Sequence, residues 1–230
     1  AIDEALARDR VLLIVSQRDK EVETPRPSDL FEVGTACNIL KMRKNPDGSV
    51  QVLVQAFARV RVREWLDLGD HLEARGEVLA DEPGEPILVK ALVREVKDKF
   101  QALLKEGKYL APEVAQFILN LEDPSQLADY VAFHMDFRLE DKQKVLETAN
   151  VAERLRAVLV LLEAELALIE TQRRIQQQVK EEIDRNQREY FLREQMKAIQ
   201  RELHGEEGEQ EVEEFRRKLE ALDLPPVVRQ

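Results

Sequence analysis

No proline occurs between Pro124 and Pro225, and no glycine between Gly107 and Gly205. Proline costs about 3 kcal/mol and glycine about 1 kcal/mol in a helix interior, so their joint absence over residues 151–204 permits one uninterrupted helix. At about 1.5 Å per residue it would span roughly 80 Å, more than a compact domain of this size can bury along one side. The C-terminal third is therefore expected to project from whatever the first two thirds build. Gly205 is expected to end it, just before the acidic run at residues 206–214.

Within that helix the apolar pattern changes twice. Leu155, Leu159, Leu162, Leu166 and Ile169 recur at spacings of 4, 3, 4 and 3, a heptad-like seam that packs on neighbouring elements. From residue 170 to residue 189 only Ile175, Val179 and Ile183 are apolar. A stripe of about one apolar residue per turn suits a coiled coil or a solvated strut. Local pairs such as Glu181 with Arg185, Asp184 with Arg188 and Glu189 with Arg193 would support it. Apolar residues then return as Tyr190, Phe191, Leu192, Met196, Ile199 and Leu203. On a helix beyond the cover of the globular part, these are candidate contact residues, either for the helix of a neighbouring chain or for a client peptide.

Upstream, the chain begins in a short helical run at residues 1–10 and continues as an apolar strand at 11–16, broken by Thr24-Pro25-Arg26-Pro27-Ser28-Asp29. Residues 33–42 and 50–58 read as the arms of a hairpin, because Asn45-Pro46-Asp47-Gly48 supplies the positive φ that a tight turn needs. Arg59, Arg61 and Arg63 then alternate with Val60 and Val62, which places three guanidinium groups on one side of a strand that reads as solvated. A further strand is expected at 72–80. A helix at 87–106 follows, with Leu88, Leu92, Val96, Phe100 and Leu103 along one stripe. Pro112 and Asp123-Pro124 mark two short helices, and Asn150 with Glu153 forms a capping-box-like start for the long one. These readings give an α+β chain: a β-rich lobe at 1–98, a helical lobe at 99–150, the long helix at 151–205, and an acidic linker leading into a further helical region at 206–230.

A net charge of -11 argues against nonspecific binding to nucleic acid or an anionic membrane. Cys37 is the sole cysteine, so no intrachain disulfide forms, and with no signal-like start or long apolar run the chain reads as cytoplasmic with a buried thiol. The abundance of Glu, Arg and Lys leans toward a thermophilic source, and the abrupt start and the Pro225-Pro226 end suggest an excised fragment. No phosphate-binding G-x-x-x-x-G-K-[ST] loop is present. His71, His134 and His204 lack metal-ligand spacing, and Ser16, Ser28, Ser49 and Ser125 lie in no nucleophile motif. Neither a catalytic residue nor a cofactor or metal site is expected in this chain. His134, on an apolar helix face, reads as a core or helix-end residue.

The run Asn186-Gln187-Arg188-Glu189-Tyr190-Phe191-Leu192-Arg193-Glu194-Gln195-Met196-Lys197-Ala198-Ile199-Gln200 resembles the long-helix signature of bacterial Lon proteases. The order of Arg18-Asp19, Pro25, Gly34-Thr35, Leu127-Ala128-Asp129 with His134, and Lys142-Gln143 with Leu146-Glu147 resembles the amino-terminal region of the same family. The resemblance implies a PUA-like β-rich lobe, a helical lobe and a long helix leading toward an ATPase ring. It also implies a substrate-recognition and hexamer-supporting role, in which unfolded or damaged proteins are captured through exposed apolar residues. ATP and Mg would act in the ATPase module, and catalysis in the Ser-Lys peptidase module of that AAA+ protease, neither of which is present. A Pro-Leu-rich strand segment that usually precedes the first helix is also missing, which would leave the first sheet incomplete. Two rival roles are a purely structural coiled-coil spacer for ring assembly and, with less support, a nucleic-acid module using Arg59, Arg61 and Arg63.

Overall fold

A computed structural model describes residues 2–67, 71–107 and 110–221. Two compact units make up the chain, Ala1–Ile169 and Glu170–Gln230.

In the first unit, α1 (Ile2–Ala7) leads into a four-stranded antiparallel sheet of β1 (Val11–Ile14), β2 (Val33–Lys44), β3 (Val50–Asp67) and β4 (Leu72–Val78), in that spatial order. The β2–β3 hairpin closes through the anticipated turn. Asn45 N donates to Ser49 O at 2.8 Å, Asp47 Oδ1 accepts from Ser49 N at 2.9 Å, and Gly48 takes φ +84°. β3 does not stop at residue 58 but continues through the arginine row to Asp67. Register shifts between Ala36 and Cys37 and between Ile39 and Lys41 bulge the β2–β3 ladder, and such bulges bend and twist a strand.

The helical part comprises α2 (Pro86–Lys105), α3 (Pro112–Asn120), α4 (Pro124–His134), α5 (Leu139–Glu147) and the start of α6 (Val151–Ala221). Asp123 caps α4 by accepting from Gln126 N at 2.9 Å, and Asn150 caps α6 by accepting from Ala152 N and Glu153 N at 3.1 Å. One apolar core joins Leu92, Val96, Phe100 and Leu103 of α2 with Ile118, Leu127, Val131, Val145, Leu155, Val158 and Leu162, and Leu159, Leu166 and Ile169 pack against it. Because the buried face of α2 lies wholly in this core, α2 belongs with the helices, and a lobe boundary at residue 98 would cut through it. Gln143 ties α5 to the sheet by donating to Val33 O at 2.9 Å.

α6 does not end at Gly205; it is helical to Ala221. Gly205 and Gly208 each lower helix propensity by about 1 kcal/mol, a penalty that the Glu- and Gln-rich surround absorbs. The linker expected over 206–230 is thus helix as far as 221, and its remainder, with Pro225 and Pro226, lies outside the described residues.

Candidate functional site

In the second unit the described side chains of α6 are all exposed. The five candidate contact residues Tyr190, Phe191, Leu192, Met196 and Ile199 are between 54% and 69% exposed. They do not form one patch. At about 100° of rotation per residue, Leu192, Met196 and Ile199 fall within about 60° of one another, and Tyr190 lies roughly opposite them with Phe191 between. Tyr190 instead shares a stripe with Ile175, Val179 and Ile183, and the same helical phase returns at Val212, Phe215 and Leu219, all of them exposed. The Leu203 side chain lies outside the described residues. Of the anticipated pairs, Glu189 and Arg193 meet at 2.8 Å, while Glu181 accepts from Gln177 at 3.0 Å.

The arginine row has a different fate from the solvated face expected of it. Arg59 is mostly buried, donates to both oxygens of Asp129 on α4, and approaches Asp81 at 3.2 Å. Arg63 pairs with Glu77 on the surface. By turning inward, Arg59 ties β3 to α4, and its charge is engaged by carboxylates and not free for a phosphate backbone.

Asp81 is also held by Arg154, a fully buried side chain on the first turn of α6. Arg154 donates to Asp81 Oδ1 and Ser125 Oγ at 2.7 Å, to Thr148 O at 2.8 Å and to Ala149 O at 3.2 Å. Ser125 Oγ in turn donates a hydrogen bond to Asp81 Oδ2. Burial works to raise the Asp81 carboxyl, but the hydrogen bonds from Arg154 and Ser125 and the charges of Arg154 and Arg59 outweigh it and hold it below its ordinary value. Beside the network, Glu82 N donates to Ala149 O and Glu82 O accepts from Val151 N, both at 3.0 Å. Sheet and helices are thereby locked through polar groups as well as packing.

Sequence spacing kept the histidines apart, yet the fold brings His71 within 3.0 Å of Glu4 and 3.6 Å of Glu73. Arg8 donates to both carboxylates, at 2.6 Å and 2.9 Å, so the cluster is an ion-pair knot between α1 and β4. His134 is the last residue of α4, stacked on Tyr130 and edge-on to Phe133. Cys37 is buried and burial pushes its thiol up.

The profile of the ATP-dependent protease La (LON) substrate-binding domain matches residues 1–164. The chain belongs to the Lon family. Lon protease 1 of Thermus thermophilus is 42% identical over all of this chain, and Lon protease of Escherichia coli is 38% identical over 97% of it. The chain spans 29% of the length of each of these two relatives. The N-terminal domain of Mycobacterium avium complex Lon protease superposes with a TM-score of 0.59 at 25% identity, covering 71% of this chain and 83% of that one. The family-model match falls on a substrate-binding domain and not on a catalytic module, and it ends at residue 164, inside α6 and upstream of Tyr190. Among the described residues no helix is long and apolar enough to cross a membrane.

Proposed function

We propose that this Lon domain captures unfolded or damaged polypeptide for an ATP-driven homohexameric protease of the cytoplasm, and that the two apolar faces of α6 divide the work. The observation that carries this reading is the exposure of Leu192, Met196 and Ile199 on one side of a helix whose opposite side bears the narrow Ile175, Val179, Ile183 and Tyr190 stripe. An unfolded client is marked by apolar side chains that a folded protein hides, and a surface that binds it must offer apolar groups within a polar surround. Methionine suits varied clients because its thioether side chain adapts its shape. The narrow stripe suits a helix of a neighbouring protomer. In this reading ATP and Mg act in the ATPase module of the whole protease.

The test uses two triple variants, L192S/M196S/I199S and I175S/V179S/I183S, with a fluorescently labelled, chemically unfolded protein as probe. The first should weaken capture by about tenfold or more, since each lost apolar contact removes on the order of 1 kcal/mol. The second should lower the sedimenting mass and leave capture per chain unchanged. Undiminished capture in the first variant would leave α6 as a spacer, the reading that the long stripe alone favours. Nucleic-acid binding is disfavoured because Arg59 is committed to Asp129 and Asp81.

A further inference from the structure

Three side chains of the kinds that bind transition metals converge where α1 meets the start of β4. Glu4 comes from the middle of α1, His71 immediately precedes Leu72, and Glu73 is the second residue of β4, paired with Leu66 of β3. His71 Nε2 lies 3.0 Å from Glu4 Oε2 and 3.6 Å from Glu73 Oε1, and the three residues offer donor atoms that all fall within 4.8 Å of one another. At metal–ligand lengths of about 2.0–2.2 Å, two ligands of a tetrahedral zinc ion stand about 3.3–3.6 Å apart. The two imidazole–carboxylate separations lie close to that range, so small rotations of the glutamate side chains admit one ion between the donors.

Arg8 distinguishes this arrangement from a chance gathering of acids. It donates to Glu4 Oε1 at 2.6 Å and to Glu73 Oε1 at 2.9 Å, and the Glu4 oxygen that it takes is not the one that faces His71. A hydrogen bond to a ligating carboxylate fixes the ligand's orientation, and Arg8 holds both carboxylates at once. It offsets only one of their two charges, so beside a neutral imidazole the cluster keeps a negative charge that a divalent cation would meet. The His71 side chain is 14% exposed, which places its nitrogen against the carboxylates in a setting largely withdrawn from water. An imidazole among the donors favours zinc-class ions over magnesium and calcium, which take oxygen ligands. We propose that Glu4, His71 and Glu73 form a zinc site, with a water in the remaining position and Arg8 as the outer group that orients the carboxylates. The bound ion clasps α1, a six-residue helix too short to hold its shape alone, to the first residues of β4. Zinc thereby stabilises the β-rich part of the first unit in proportion to its occupancy.

The probe is zinc itself, titrated by calorimetry into the 230-residue chain after a chelator has stripped it of metal. One ion should bind per chain, and excess magnesium should not compete. H71Q and E73Q should each bind zinc about tenfold or more weakly, since loss even of a group that only orients a ligand costs about 10–100-fold, whereas H134Q should bind it as the parent does. Cobalt bound in place of zinc should quench Trp65, which pairs with Ala74 beside the Leu66–Glu73 pair. Zinc should also slow amide exchange in α1 and at residues 71–74 of the parent chain, a result that does not depend on how well any variant folds. Absence of binding, equal affinity of H71Q and the parent, several equivalent ions per chain, or unchanged exchange in α1 would overturn the proposal.

Discussion

Arg154 offers the sharpest test of how the sheet and the helices are held together. Replacing it with methionine keeps the length of the side chain and removes a guanidinium that is 0% exposed and donates to Asp81, Ser125, Thr148 and Ala149. Breaking a buried pair by deleting one partner costs about 3–5 kcal/mol. The Asp81 side chain is 37% exposed and retains Arg59 at 3.2 Å, so R154M is expected near the lower end, about 3 kcal/mol. D81N leaves Arg154 buried opposite a neutral amide and should cost about 2–3 kcal/mol. The double variant should be less destabilised than the sum by about 1–2 kcal/mol, because the two residues share one interaction. Urea is the denaturant of choice, since guanidinium salts would screen the charges. Trp65 on β3 is the sole tryptophan, and its fluorescence follows the sheet. Strict additivity of the two substitutions, or a loss below about 1 kcal/mol for R154M, would refute the claim that this network binds the two parts.

Three further outcomes follow from the same geometry. Asp81 is held below its ordinary value, so it contributes stability above the unfolded carboxylate value near pH ~3.9 and loses it as pH falls through the lowered folded value. The urea midpoint of the parent chain should therefore drop more steeply below about pH 4 than that of D81N. Phe100 is fully buried in the helical core, and F100A should cost about 3–5 kcal/mol in thermal unfolding. Gly48 sits at φ +84° with open space around the position of a Cβ, so G48A should cost about 1 kcal/mol through backbone strain alone, measurable as a shift in the Trp65 transition.

Local chemistry read correctly where it is self-contained. The Asp47-Gly48 turn, the Asp123 cap and the Leu155-to-Ile169 seam each depend on residues a few positions apart, and each forms in the structure. The grip between sheet and helices depends on Arg59 meeting Asp129 and Asp81 meeting Arg154, pairs separated by 70 and 73 positions, and no periodicity announces such partners. One signal was nevertheless available. Arg154 shares a helix face with Val151, Leu155, Val158 and Leu162, and a charge at a core position requires a buried partner. On α6 the apolar residues are visible in the sequence, and the rotation of about 100° per residue sends Tyr190 and Met196 to different sides of the helix.

The burial of Cys37 has a practical corollary. As the chain's one thiol, raised by burial and packed inside the sheet, it withholds the thiolate through which alkylating reagents act. A cysteine introduced at Tyr190 or Met196 would therefore be the sole reactive handle on the native protein. Photocrosslinkers attached at those points could report what touches each surface without first removing the natural residue. The slow labelling of Cys37 itself would time how often the sheet opens.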